Sequence, residues 1–251
     1  MSLSTNDLVA RKFGQFTRLS PGDRLAISSL TGEGIRQFAA RTDIVREGDT
    51  PTCLRLFLSG WACRYKMLED GRRQIVAFLL PGDLCDLNIF LLREMDHSIG
   101  TIVPVTLAEI APAAIERVMD AHARVAKALL WEQLVTAAMQ REWTLNLGQR
   151  SALERVAHLF CELFLRLRGV GLTEGGRCEL PLTQADMGEA TGLSTVHINR
   201  TVQELRSRGL IVLRGKELVI PDLAALQDAA GFNVNYLHLD REGRQFDTNE
   251  G

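Results

Sequence analysis

The sequence predicts an α+β chain in three parts: an N-terminal antiparallel β-roll, a long helix and a C-terminal winged helix-turn-helix. Three observations carry this. Glycines at 48, 60, 71 and 82 recur at intervals of 11 or 12 and separate short strand-like runs, the spacing of a small barrel or roll. From Pro112 to about Gly148 an apolar helical spacing replaces the alternation. Residues 182–207, LTQADMGEATGLSTVHINRTVQELRS, then place two short helical patterns around one glycine.

Composition narrows the classes. A chain of 251 residues has room for about two domains and a sizeable core. With 46% hydrophobic and 24% charged residues it reads as an ordinary soluble globular protein. The net charge of −2 means that any nucleic-acid binding must come from a local patch. No apolar run reaches the roughly 20 residues of a membrane span and no secretory signal opens the chain, so no membrane partner and a cytoplasmic location are expected. The five cysteines (Cys53, Cys63, Cys85, Cys161, Cys178) form no CxxC and no Cys/His cluster. Reduced thiols are expected, with neither a disulfide frame nor a zinc site. No nucleophile–base pair, phosphate loop or metal-ligand spacing suggests an enzyme, so no catalytic or metal residues are assigned.

Residues 1–111 make the first expected domain. Residues 6–40 read as short helices around Phe13, Phe16, Leu25, Leu30, Ile35 and Phe38, with Ser20-Pro21-Gly22-Asp23 as a turn and helix start. Strand-like runs follow at 54–58, 61–66, 74–80, 98–103 and 105–110, and Glu69-Asp70-Gly71 signals a hairpin. Pro112 opens a helix expected to run unbroken to 148. In it Val118, His122, Val125, Leu129, Thr136, Met139 and Trp143 form a two-per-heptad seam, interrupted near Glu132. A seam about 30 residues long is better explained by a partner helix than by packing on the chain's own roll. The expected dimer interface is therefore Val118, His122, Val125, Leu129, Thr136 and Met139.

Residues 149–230 make the second domain. A helix over 150–168 carries Leu153, Val156, Ala157, Phe160, Phe164 and Leu167 on one face. GVGLTEGG (169–176) is expected as a loop and 177–180 as a strand. Thr183 can cap the next helix, with Asp186 three residues on. Gly192 sits at the bend, where a residue without Cβ accepts a left-handed backbone. Ser194 caps a second helix whose Ile198, Val202 and Leu205 share a buried face. The opposite side carries Val196, Asn199, Arg200 and Gln203, the groups that read base edges in a major groove. Gly209 ends that helix; 210–214 and 217–220 then read as a wing around Gly215-Lys216. Arg200, Arg206, Arg208, Arg214 and Lys216 face one acid, Glu204, in this stretch, a local footprint for phosphates. The residues expected at DNA are Ser194, Thr195, Val196, Asn199, Arg200, Gln203, Arg214 and Lys216. Residues 231–251 read as a polar, poorly ordered tail.

Taken with REGD (46–49) and LSGWACRYKMLEDGRRQIVAFLLPGD (58–83), this order resembles the CRP/FNR family of bacterial transcription regulators over nearly the whole chain. The resemblance implies a cyclic-nucleotide-binding-like (cupin-like) roll and a homodimer joined by the long helix. It further implies an effector pocket in the roll, a two-fold-symmetric site on double-stranded DNA, and contact with RNA polymerase. The base-reading positions it implies fall on Val196, Asn199 and Arg200. Arg200 suits guanine, while Val196 cannot accept from a cytosine amino group but can touch a thymine methyl.

The effector pocket implied by the resemblance falls on Gly82, Asp83, Leu84, Asp86, Leu87, His97 and Ser98, with Gln140 and Arg141 from the long helix. Members that bind cyclic AMP hold its phosphate with an Arg-Ser pair, which reads His97-Ser98 here. A histidine supplies the needed cation only partly near neutral pH, so cyclic AMP is not the expected effector. The cysteines are too scattered for an iron–sulfur cluster. His97, His122 or Cys85 would be the haem ligand, each more readily explained as a core or surface residue. Cys178 would sense oxidants only if exposed and acidified. No cofactor is assigned. The alternative function is a cyclic-nucleotide-binding signalling module whose winged helix contacts protein, separated from a DNA binder by the salt dependence of the latter.

Overall fold

The computed structural model describes residues 5–32, 34–85 and 91–239. The chain divides into two units. One comprises Met1–Arg64 and Phe78–Ala137 with the segment from His238 on; the other comprises Tyr65–Ala77 and Ala138–Leu237.

The first unit opens with α1 (Thr5–Gly14) and α2 (Pro21–Gly32). At the start of α2 the Asp23 N–H donates to Ser20 Oγ at 3.1 Å, and Asp23 Oδ2 accepts the Ser20 N–H at 2.9 Å, a reciprocal cap. Helix was expected up to residue 40. Instead Ile35–Phe38 is β1, paired antiparallel with β8 (Val105–Ile110), Ile35 opposite Ala108. Four residues are too few to show a period when the partner lies some seventy positions away. Leu25, expected in the core, is 72% exposed.

Between these come β2 (Asp43–Val45), β3 (Leu54–Ser59), β4 (Ala62–Met67), β5 (Arg73–Leu79), β6 (Leu84–Cys85) and β7 (Ser98–Thr101). They form two four-stranded sheets, in the orders β1-β8-β3-β6 and β2-β7-β4-β5. The glycines at 48, 60, 71 and 82 all turn the chain with positive φ. Alternation along the strands sends Phe57, Leu79, Ile99, Val105 and Leu107 inward, with Met95, into one buried cluster. The roll therefore has a packed interior.

The helix expected over 112–148 is broken. α3 (Pro112–Ala121) ends at His122, whose φ of −130° and ψ of 80° are not helical, and α4 (Ala123–Gln149) begins after it. His122 Nδ1 lies 3.0 Å from Asp23 Oδ1, so the break is tied to the capped start of α2. Burial works against the charge on Asp23, but hydrogen bonds from Ser20 and His122 hold its carboxyl below the usual value.

The expected dimer seam is corrected here. Val125 and Leu129 are 0% and 1% exposed within the chain's own core, and Val118 and His122 line a cleft against α2. Thr136 and Met139 are half-buried. The large apolar residues that α4 leaves outside are Leu130, Leu134, Leu145 and Leu147, with Ala137 and Arg141 exposed between Leu134 and Leu145. A spacing shows that a face is apolar, not whose core it enters. Glu132, which interrupts the expected seam, is buried 3.3 Å from Lys12 Nζ of α1; the same ammonium lies 3.0 Å from Asp83.

In the second unit α5 (Ala152–Gly169) starts at Ser151, which forms a capping box with Glu154. One apolar face was expected. In fact every residue from Val156 to Leu167 is buried, because helices and a small sheet surround α5. Its polar residues must then find partners inside. Glu162 accepts from Trp143 Nε1 at 3.1 Å and from the Tyr236 hydroxyl at 2.9 Å, and Arg166 lies 3.5 Å away. Burial raises the Glu162 carboxyl, against the pull of Arg166 and of the bonds from Tyr236 and Trp143. His158, packed against the Phe232 and Tyr236 rings, is pushed down to about 3 by burial and then by Arg150, so it is neutral.

The expected loop at 169–176 contains β9 (Thr173–Glu174), paired with β10 (Arg177–Glu179). A helix not foreseen, α8 (Leu223–Ala230), starts at Asp222 and ends at a left-handed Gly231. The tail expected to be disordered from 231 first forms a 3-10 turn, Val234–Leu237, with Tyr236 and Leu237 buried. The rest of that expectation, 240–251, lies outside the described residues. Among the described residues no helix is long and apolar enough to cross a membrane.

Candidate nucleic-acid interface

Two helices and a wing build this site. α6 (Gln184–Thr191) begins at Thr183, whose Oγ1 accepts the Asp186 N–H at 3.1 Å while Asp186 Oδ2 accepts the Thr183 N–H at 2.8 Å. It ends at Gly192, in the left-handed region at φ 69°. α7 (Thr195–Ser207) begins at Ser194, which accepts the His197 N–H. The turn folds back so closely on α6 that a Cβ on Gly188 would lie 2.5 Å from the Leu193 carbonyl. Gly188 was not singled out in the sequence; a glycine inside a short helix beside a tight turn was the available signal.

The buried face of α7 is Ile198, Thr201, Val202 and Leu205. That leaves Thr195, Val196, Asn199, Arg200 and Gln203 exposed, with Val196 at 69%. An exposed valine between polar neighbours is unusual for a solvated face and suits contact with a methyl group. Gln203 Oε1 accepts from Arg206 at 3.4 Å, and Arg208 is ion-paired with Glu204. His197 is exposed in the first turn of the same helix and was also missed.

The wing is β11 (Val212–Arg214), an edge strand, and β12 (Glu217–Val219) beside it in the sheet β11-β12-β10-β9. Arg214 and Lys216 are exposed on it. Arg214 stands opposite Glu217 in the register, and Arg177 lies 3.9 Å from the same carboxylate. The wing is therefore less basic than a count ending at Lys216 suggests. Cys178 beneath it is 5% exposed, and burial, then Glu179 and Glu217, push its thiol up to about 12. Cys178 therefore does not meet the condition for oxidant sensing, an accessible thiolate.

The expected effector residues are mostly engaged with the chain itself. Gly82 donates its N–H to the Phe57 carbonyl. Leu84 is buried. Asp83 is turned inward to Lys12 and accepts the Leu80 N–H at 2.7 Å, so it is corrected from pocket residue to structural anchor. The Ser98 hydroxyl accepts the Glu47 N–H at 2.9 Å, and His97 Nδ1 lies 2.6 Å from Asp96. Asp86 and Leu87 lie outside the described residues. In the second unit Gln140 donates to the Val76 carbonyl at 2.9 Å and Arg141 is exposed. A cation that sequence reading missed is Arg64 on β4, half-buried, with Nη2 3.5 Å from Cys85 Sγ. Two positions from the core residue Ala62, it shares that residue's face of the strand.

Comparison with known proteins bears on these features directly. The cyclic nucleotide-binding domain family matches residues 35–122, and the Crp-like helix-turn-helix domain family matches residues 154–229. The nitrogen fixation regulation protein FixK of Bradyrhizobium diazoefficiens is 30% identical over 179 residues, covering 70% of this chain and 73% of that protein. The chain belongs to the CRP/FNR family of transcription regulators. A second CRP/FNR relative, the transcriptional activator protein FnrL of Cereibacter sphaeroides, is 29% identical over 204 residues, with 78% of this chain and 80% of that protein covered. The structure of FixK2 from Bradyrhizobium japonicum superposes with a TM-score of 0.69 at 24% identity, over 78% of this chain and 96% of that one; it shows the CRP/FNR fold. This CRP/FNR chain is thus a DNA-binding transcription regulator with α6, α7 and the wing as its helix-turn-helix.

Proposed function

We propose that the chain acts as a cytoplasmic homodimer on a two-fold-symmetric DNA site, where it contacts RNA polymerase. In this reading residues 1–111 are the effector-responding part, the helical segment over 112–148 joins the copies, and residues 149–230 bind DNA. The interface lies along Leu130, Leu134, Ala137 and Leu145 of α4, a stripe with steps of four, three and eight. Arg200 reads a guanine through O6 and N7, Asn199 is beside it, and Val196 meets a thymine methyl. Arg214 and Lys216 anchor phosphates.

The observation that carries this reading is the exposed face Val196–Asn199–Arg200, opposite a buried face and held by two caps. Its test begins by selecting bound duplexes from a random pool; two half-sites about one helical turn apart are expected. Arg200→Ala should then cost about 1–3 kcal/mol per half-site and relax the preference at one base pair. Lys216→Ala should weaken specific and random duplexes alike and flatten the salt slope by about one unit per subunit. Loss of affinity that is equal for every sequence with Arg200→Ala would remove α7 as the reader.

The effector in this reading is not cyclic AMP. Its phosphate needs a cation in bidentate reach, and at that position His97 is bonded to Asp96 while Ser98 holds the Glu47 N–H. Calorimetric titration with cyclic AMP is expected to give no saturable heat. Micromolar binding would contradict this.

A further inference from the structure

Outside the roll interior, a cleft of about 460 Å³ lies between α2, the end of β8 and α3, within the size range of small-molecule sites. We propose that this cleft binds a small organic anion, one carboxylate on an apolar body of several carbons. The proposal rests on the reading of the chain as an effector-responsive regulator and names the chemistry of the effector.

Leu30, Ile110 and Val118 give the cleft apolar walls, and the small side chains of Ala26 and Ala114 leave the space open. The polar groups around it are unequal. Glu109 is already shared between Arg36 at 3.3 Å and Arg55 at 3.7 Å. His122, which also lines the cleft, is engaged by Asp23 at 3.0 Å. Arg117, by contrast, lines the cleft from α3 with a side chain that makes no ion pair or hydrogen bond among the described residues. Among the described residues the carboxylate that lines the cleft has its cations, and the guanidinium that lines it has no anion. A guanidinium takes a carboxylate bidentately, and the apolar walls then cover the carbon chain. A neutral amphiphile lacks the first contact and a bare phosphate lacks the second.

The site touches the one irregular point of the helical segment. Val118 and His122 belong to the lining, and His122 is where α3 gives way to α4. An occupant between α2 and α3 therefore presses next to the break.

The test uses the full chain without DNA, so its failure is distinct from failure of the DNA reading, which the duplex selection decides. Sodium octanoate, octanol and inorganic phosphate are titrated separately by calorimetry. Octanoate is expected to saturate one site per chain, with octanol and phosphate weaker by roughly tenfold or more. Arg117→Gln should weaken octanoate by a similar factor, and Ala114→Phe, which fills the cleft, should abolish binding. Arg117 is exposed, so its variant keeps the test decisive if Ala114→Phe does not fold. Absence of saturation by octanoate, equal binding of octanol, or an Arg117→Gln titration matching the parent would each overturn the proposal.

Discussion

Leu134→Glu is expected to convert the proposed dimer to monomers in sedimentation velocity while leaving the chain folded. Leu134 is 64% exposed on α4 and is flanked along the same stripe by Leu130 and Leu145. A single chain gains nothing by holding such a stripe in water, whereas a two-fold contact buries it twice. A carboxylate placed there enters the interface in both copies, and an unpaired buried carboxylate costs several kcal/mol. Two of them weaken association by about a thousandfold or more. Leu129→Glu makes the contrast: Leu129 is 1% exposed, so that change strikes the first unit's own core and should lower the unfolding temperature instead. A dimer unaffected by Leu134→Glu would remove this stripe from the interface.

Glu162→Leu is expected to cost about 3–5 kcal/mol in urea unfolding, the range for stripping one partner from a buried ion pair. The carboxylate is fully buried and holds Trp143, Tyr236 and Arg166 at once. Leucine nearly fills the volume but removes the one carboxylate that an indole N–H, a phenol and the Arg166 guanidinium share. Glu162→Gln keeps an acceptor oxygen and should lose less, about 1–3 kcal/mol. Replacing Arg166 by Leu together with Glu162→Leu should recover part of the loss, since both members of the buried pair are then gone. A loss under about 1 kcal/mol for Glu162→Leu would contradict this account of the core.

These two residues also mark where sequence reading succeeds and where it stops. The helix-turn-helix was legible because its signals are local: Thr183 with Asp186, Gly192 at the bend and Ser194 each act within three or four positions. The roll was legible for the same reason, through its turn glycines. Val125 and Leu129 carry the same spacing as a seam, and only the fold shows that they face inward. The break at His122 depends on Asp23, 99 residues earlier, and the buried end at Tyr236 depends on Glu162, 74 residues earlier. Ile35–Phe38 was read as helix because its partner strand, β8, is equally remote. Of the candidate effector residues, Asp83 was misassigned because its lysine comes from α1, which no local pattern reports.

After the break at His122, α4 runs uninterrupted for 27 residues, about 40 Å at 1.5 Å per residue. Val125, Ala128, Leu129 and Val135 along its first half are all buried, so α4 is gripped over several turns and leaves the break with its direction set by packing.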